Sequence, residues 1–310
     1  MAHPPPEKVD YKVAIPTHGR WRPVGEMTQR EHFKGRTEPF ILVHTLDFLR
    51  KQGILQELVT LFVADQTEAS CYRNALQDSE YWKDVKIVVS KKGNMNNRNF
   101  IFWYYNPSTY VISIDDDLEG IQWKFNNESR TNQLCMLPPG SLEKLIHHAY
   151  ALMRKTGAYL WGLSTSQNAY CMQKDRISCN NGLVNGYFNG FITRPDCKEL
   201  YRTFYDATED SEFSVRHFAK DGVVLRYKMY AGVTRPHKNS GGLQEKFAEG
   251  TCGKDRRKTE ERKGAQLLHK RFERLIGPPQ ERTDSKTMEV AFRYVRGKPI
   301  MRAAGAHDGG

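Results

Sequence analysis

The chain has 310 residues, 39% hydrophobic and 11% aromatic, which excludes a mainly disordered protein and is enough to bury a sizeable core. Lys and Arg outnumber Asp and Glu by 47 to 36, and the formal net charge of +11 suits a phosphate-rich partner, nucleic acid or a membrane surface. The six cysteines form no Cys-x-x-Cys pair or zinc spacing, MAHPPPEKVD lacks the apolar core of a signal peptide, and no run is long enough to span a bilayer; a soluble, intracellular protein with free thiols is expected.

After a proline-rich lead over residues 1–10, YKVAIP (11–16) reads as a short buried strand, followed by the loop THGR. Residues 39–52 carry apolar groups at helical spacing and stop at Gly53, a C-cap residue. LVTLFVAD (58–65) predicts a second strand ending in an acid, 68–76 a short helix, VKIVVS (85–90) a third strand, and NMNNRNFIFWYY (94–105) a helix. YVISI (110–114) is the fourth strand, and it delivers Asp115, Asp116, Asp117 and then Gly120. Strands alternating with helices in this way predict an α/β fold with a mostly parallel, Rossmann-like central sheet flanked by helices, whose ligands bind beyond the carboxyl ends of the strands.

The second half is more mixed. Residues 141–157 place Leu142, Leu145, Ile146, Ala149, Leu152 and Met153 on one helical face, with Ser141 expected as the N-cap and Gly157 as the stop. YLWGLST, GLVNGYFNGFIT and VVLRYKMYAGVT read as strands, and a helix is expected at 209–220. From residue 244 the chain turns polar and basic, so 244–310 is expected as an extension, helical and then disordered.

Three adjacent carboxylates repel one another unless a positive group sits among them. In an extended chain Asp115 and Asp117 point to one side and Asp116 to the other, which makes a two-carboxylate site for a hard divalent ion, Mn²⁺ or Mg²⁺. An acidic turn capping the next element is the plain alternative, and the position at the ligand-binding edge of the sheet favours the metal. The four asparagines of NMNNRN are poor helix formers, which likewise favours a polar site there.

A strand ending in Asp-x-Asp, preceded by an N-terminal VAIPTHGR strand, resembles the nucleotide-sugar glycosyltransferases of the GT-A fold over residues 11–240. The resemblance implies a catalytic domain at 11–243, with a nucleotide-sugar half at 11–120 and an acceptor half at 121–243. It implies a UDP-sugar donor contacted by Thr17, His18, Arg20, Asp65, Asn97, Arg98, Asp115 and Asp116, and a metal held by Asp115, Asp117 and His237, with Arg235 and Lys238 as alternative phosphate partners. Arg20 pairing with an acid and Asp65 capping a helix are equally open. Gly186 and Gly190 of NGYFNGF resemble the glycine-rich segment that lets the backbone approach donor and acceptor. Glu209 and Asp210 match the acidic pair that supplies the general base in inverting members, Asp210 first and Glu209 as the fallback.

The triple-aspartate form, the TRPHKN segment and the basic balance look most like the glycosyltransferases associated with TET/JBP dioxygenases in phages and kinetoplastids. That implies double-stranded DNA carrying 5-hydroxymethylcytosine or 5-hydroxymethyluracil as acceptor, with Trp103, Tyr104, Tyr187 and Phe188 as aromatics that could stack on a base. Two other readings stay open: a glycosyltransferase acting on a saccharide, lipid or protein, and a basic metal-binding nucleic-acid-binding protein or nuclease.

Overall fold

The computed structural model describes residues 9–125, 134–234, 253–281 and 288–297. Four strands, β1 (Lys12–Pro16), β2 (Val59–Val63), β3 (Lys86–Val89) and β4 (Tyr110–Ile114), lie parallel to one another. They are joined through α1 (Val24–Met27) and α2 (Asp47–Lys51), then α3 (Gln66–Leu76), then α4 (Asn94–Tyr104). The chain continues through β5 (Gly120–Lys124), β6 (Leu134–Met136), α5 (Leu142–Thr156), β7 (Leu160–Leu163), β8 (Ile177–Ser178) and β9 (Phe188–Ile192). It ends with α6 (Glu209–Asp221), β10 (Leu225–Tyr227), β11 (Tyr230–Val233), α7 (Gly253–Arg271), β12 (Gln280–Glu281) and β13 (Met288–Glu289).

The main sheet has the order β3-β2-β1-β4-β9-β7-β10-β8, and only β9 and β8 run against the rest. The expected α/β architecture with a mostly parallel central sheet is therefore what the chain forms. Its strands read as unbroken apolar runs because both faces are covered. Val13 and Ile15, Leu61 and Val63, and Ile112 and Ile114 enter one core with α3 and α5, while the intervening Ala14, Phe62 and Val111 enter a second core with α4 and α6. A smaller antiparallel sheet, β11-β5-β6, begins just past the carboxyl end of β4.

Several local expectations change. The helix over 39–52 opens with a π-helical turn at Leu42–Leu46 before α2, and Gly53 ends it at φ 74° as expected. Ser141 makes no side-chain cap; instead the Gln52 Oε1 accepts from the backbone N–H of Ser141 (3.1 Å) and Leu142 (3.0 Å), so the cap of α5 comes from a distant residue. VVLRYKMYAGVT is not one strand: β10 joins the main sheet and β11 the small one.

Gly190 acts as a packing glycine in this fold. It sits in β9 opposite Ile112 and Trp161, and a Cβ there would collide with the Trp161 indole nitrogen, which donates to the Tyr110 hydroxyl at 2.7 Å. Gly190→Ala is expected to cost about 1–3 kcal/mol through overpacking. An unchanged urea midpoint would show that the indole yields freely.

The C-terminal extension also differs from the expectation. Helix α7 packs against the turn before α6, where Gly264 leaves no room for a side chain beside Thr208, and Ala265 and Leu268 are buried. Beyond it β12 pairs with β13, Ile276 bridges Phe292, and the Asn181 N–H donates to the Val295 carbonyl at 3.1 Å. Residues 276–297 thus return to the domain where they are described, and the tail expected to be disordered lies outside the described residues.

Candidate functional site

The aspartate turn is built where β4 stops. Asp115 still pairs with β9's neighbourhood, its N–H donating to the Tyr187 carbonyl at 2.9 Å, and the chain then turns at Asp116 and Asp117 rather than running on extended. Thr45, from the π turn, braces this bend: its hydroxyl donates to the Asp115 carbonyl at 2.8 Å and accepts from the Leu118 N–H at 2.9 Å. π turns often mark functional sites, and here the extra residue coincides with Thr45 reaching the backbone of the aspartate turn. The turn replaces the extended alternation expected of the three acids: Asp116 and Asp117 both approach Arg20, while Asp115 is turned to Arg98.

Asp116 faces the loop after β1. It accepts from the Thr17 hydroxyl at 2.7 Å, the His18 N–H at 3.4 Å and the Arg20 Nε at 3.3 Å. Arg20 is buried, lies over the Phe40 ring at 4.5 Å, and holds Nη2 3.9 Å from Asp117 Oδ2. Of the two openings for Arg20, the structure shows the acid pairing. Asp117 accepts from the Thr234 hydroxyl at 3.1 Å, where β11 ends. The loop itself is held by α3: Tyr72 hydroxyl contacts Thr17 Oγ1 (2.5 Å) and accepts from the Arg20 N–H (3.0 Å), while Glu68 accepts from the Gly19 N–H (3.0 Å) and lies 3.2 Å from His18 Nδ1.

Arg98 ties this turn to the opposite wall. Its Nη2 contacts Asp115 Oδ1 at 2.5 Å, its Nε lies 2.9 Å from Glu209 Oε1, and its Nη1 donates to the Gly186 carbonyl at 3.2 Å. Glu209 is also gripped by the buried Arg202, at 2.6 Å from its other oxygen. A Cβ on Gly186 would sit 3.0 Å from Glu209 Oε1 and 3.2 Å from Arg98 Nη2, so glycine is what lets the chain pass this ion pair. Asp210, next along α6, is half-buried and accepts from the Ser211 N–H at 2.7 Å.

The remaining sequence candidates fall outside this cluster. Asp65 is exposed and caps α3 by accepting from the Glu68 N–H at 2.9 Å, the plain alternative left open for it. Asn97 is buried and donates to the Phe62 carbonyl at 3.0 Å, fastening α4 to the end of β2. Tyr187 and Phe188 are core residues, and Trp103 is exposed near the far end of α4 from Asn94. His237, Arg235 and Lys238 lie outside the described residues. Thr45, Glu68, Tyr72 and Arg202 carry no local sequence signal and were not anticipated.

No family model and no curated protein matches the sequence. Among solved structures, the chain is similar to S. aureus TarS 1-349, at 14% identity over 86% of this chain and 72% of that one, with a TM-score of 0.39. The same protein in complex with UDP-GlcNAc gives 12% identity over 86% and 73%, with a TM-score of 0.41. The mannosyltransferase PcManGT from Pyrobaculum calidifontis, in complex with GDP-Man and Mn²⁺, gives 12% identity over 86% and 66%, with a TM-score of 0.46. These are loose likenesses.

That geometry is electrostatically unfinished. Among the described residues, Asp115, Asp116, Asp117, Glu209 and Asp210 face three guanidiniums, those of Arg20, Arg98 and Arg202. Burial pushes the Asp115 carboxyl up to about 7; Arg98 pulls the other way, and Asp117 and then Asp116 add to the rise. Burial and Glu209 push Asp210 up to about 6, against the Ser211 N–H and Arg98. Among the described residues no three His, Cys, Asp or Glu side chains gather as a closed metal cage. Two carboxylates with an excess of negative charge fit Mg²⁺ or Mn²⁺, which takes one or two protein oxygens and completes its shell with water and substrate phosphate.

Proposed function

We propose that this chain is a metal-dependent glycosyltransferase that moves a sugar from a UDP-sugar to an acceptor hydroxyl. The observation that carries the reading is the convergence, through Arg98, of Asp115 at the end of β4 with Glu209 and Asp210 at the start of α6. A divalent ion held by Asp115 and Asp117, with His237 as a third ligand, would act as Lewis acid on the leaving diphosphate. Arg98 keeps Asp115 oriented. Glu209, committed to two guanidiniums, fixes the helix start, which leaves Asp210 to take the proton from the acceptor oxygen as it attacks the anomeric carbon. A single displacement of this kind inverts the anomeric configuration. Thr17, His18 and Arg20 line the loop beside the turn and would border the nucleotide, with Asp116 holding that loop in place.

For the acceptor we propose a hydroxymethylated pyrimidine in double-stranded DNA, supported by the net charge of +11 and the sequence resemblance. Incubation with Mn²⁺, a panel of UDP-sugars and DNA containing 5-hydroxymethylcytosine or 5-hydroxymethyluracil, followed by nucleoside mass spectrometry, is expected to show a hexose mass gain. Transfer to a saccharide with no gain on DNA would replace the acceptor; strand cleavage with metal and no sugar nucleotide would replace the whole reading. Asp117→Asn, which keeps an acceptor for Thr234, is expected to lower metal-dependent transfer on the order of a hundredfold or more while leaving the melting temperature in place. Wild-type rates in that variant would remove Asp117 from the metal site.

A further inference from the structure

One cavity in the described structure is not used by this chemistry. It encloses about 620 Å³ between the loop at 181–183, the start of α6, helix α7 and the strand pair β12–β13. The volume is in the range of a small-molecule or monomer site. Thr208 and Ser211 of its wall flank Glu209 and Asp210, so the cavity opens on the same helical turn as the acidic pair but to one side of it. The opposite wall is the C-terminal segment, stitched in by Asn181, whose Nδ2 donates to the carbonyls of Leu275 (2.7 Å) and Arg293 (3.0 Å). The cavity is thus assembled from residues more than 100 positions apart in sequence, and removing the extension would remove it.

Its chemistry is specific. Arg226 lies on the wall against Gly182, in the space a Cβ at 182 would occupy, and donates from Nη2 to Asn180 Oδ1 at 2.6 Å. No carboxylate pairs with it among the described residues. The acids on the wall are Glu261, which is engaged by Arg257 at 2.9 Å, and Glu289, which is exposed. Two more cations stand beside Arg226 along the sheet edge: Arg176, whose carbonyl accepts from the Lys228 N–H at 2.9 Å, and Lys228 itself, two residues after Arg226. Burial, then Arg226 and Arg176, push the Lys228 ammonium down to about 8, against Cys171. On the rim Tyr294 is 77% exposed, an aromatic ring held open to solvent beside the cavity.

Resting on the glycosyltransferase reading, we infer that this cavity is a remote acceptor subsite, which holds a phosphodiester of the acceptor chain on Arg226, the cation of its described wall, and stacks its neighbouring unit on Tyr294. The reacting hydroxyl goes to Asp210, and the C-terminal extension supplies the wall that selects a charged, chain-like acceptor over an isolated monomer. Phosphate contacts of this kind position a strand without reading its sequence, and an exposed aromatic ring suits any flat unit beside it.

The test is direct binding to the full-length protein, read by fluorescence anisotropy with a labelled DNA oligonucleotide, a labelled glycerol-phosphate oligomer and a labelled uncharged glucan. The charged oligomers are expected to bind in a salt-sensitive manner, and Arg226→Met and Tyr294→Ala each to weaken binding about tenfold. Preference between the DNA and the glycerol-phosphate arm identifies the source of the phosphodiester. Tyr294→Ala guards against a folding artefact at Arg226, because its ring is exposed. Equal binding of the glucan, or charged-oligomer binding unchanged in both variants, would overturn the subsite, as would no binding of either charged oligomer. Metal-dependent UDP-sugar hydrolysis without acceptor should stay at the wild-type rate in both variants. Its absence from the wild type would count against the transferase reading and leave the binding result to decide the subsite alone.

Discussion

Arg98→Met is expected to cost about 3–5 kcal/mol of stability and to abolish transfer, because it leaves the buried Glu209 and the half-buried Asp115 without their shared cation. Arg98 is 5% exposed and touches Asp115 of the β4 end, Glu209 of α6 and the carbonyl of Gly186. Removing the guanidinium strands Glu209 on Arg202 alone and lets Asp115, already pushed up to about 7 by burial and its acidic neighbours, take up a proton near neutral pH. A protonated Asp115 is a poor metal ligand, so the loss of activity should exceed what the loss of folded protein explains. Arg98→Lys should recover little, since an ammonium cannot span three acceptors with the planar fork that Arg98 uses. Thermal melting and UDP-sugar hydrolysis, measured on the same preparations, check this; a melting temperature within a degree or two of wild type, where a drop on the order of 10 °C is expected, would show that the pairing is not structural.

What could be read in advance follows from which interactions are local. The strands of the central sheet announce themselves because burial on both faces forces runs such as VAIP, VTLFV and YVISI, and the glycines that end helices announce themselves through the left-handed backbone they must adopt, as at Gly53 and Gly157. Asp115 and Asp117 were legible because an apolar strand ends in them. Thr45, Glu68, Tyr72 and Arg202 were not, because each meets its partner across the fold: Thr45 and the Asp115 carbonyl are 70 residues apart, Gly19 and Glu68 are 49 apart. Gly190 has a partner that was hidden for a related reason. A glycine next to a polar motif looks like a backbone approach to ligand, and only the position of Trp161, fixed by a different strand, shows that the approaching group is an indole. In α7 the dense alternating charges concealed Gly264, Ala265 and Leu268, three small or apolar positions that suffice to dock a helix and so to build a cavity wall.

Asp210→Asn is expected to lower transfer by about 10²–10⁴-fold with donor and metal binding retained, the range for loss of a general base. The choice between the two acids rests on their partners. Glu209 is locked between Arg98 and Arg202, and a carboxylate that neutralises two buried guanidiniums cannot give up that position to collect a proton; Glu209→Gln should therefore be primarily a folding defect. Asp210 is held by backbone donors, Ser211 at 2.7 Å and Gly186, rather than by a buried guanidinium pair, and burial and Glu209 push its carboxyl up to about 6. The base must be ionised to act, so at saturating metal, which holds Asp115 ionised, kcat/KM should rise tenfold per pH unit below about 6 and level off above it. The same shift has a cost for folding. A carboxyl whose folded pKa lies above its unfolded value binds protons more tightly in the native state, so its contribution to stability is greatest below the unfolded pKa and is lost as pH rises through the folded one. Asp210→Asn removes that penalty. The variant should therefore melt higher than wild type at pH 7 and approach it at pH 4, a gain in stability paired with a loss of catalysis. A variant that melts lower than wild type at pH 7, or a wild-type rate profile flat between pH 5 and 7, would take the base assignment away from Asp210.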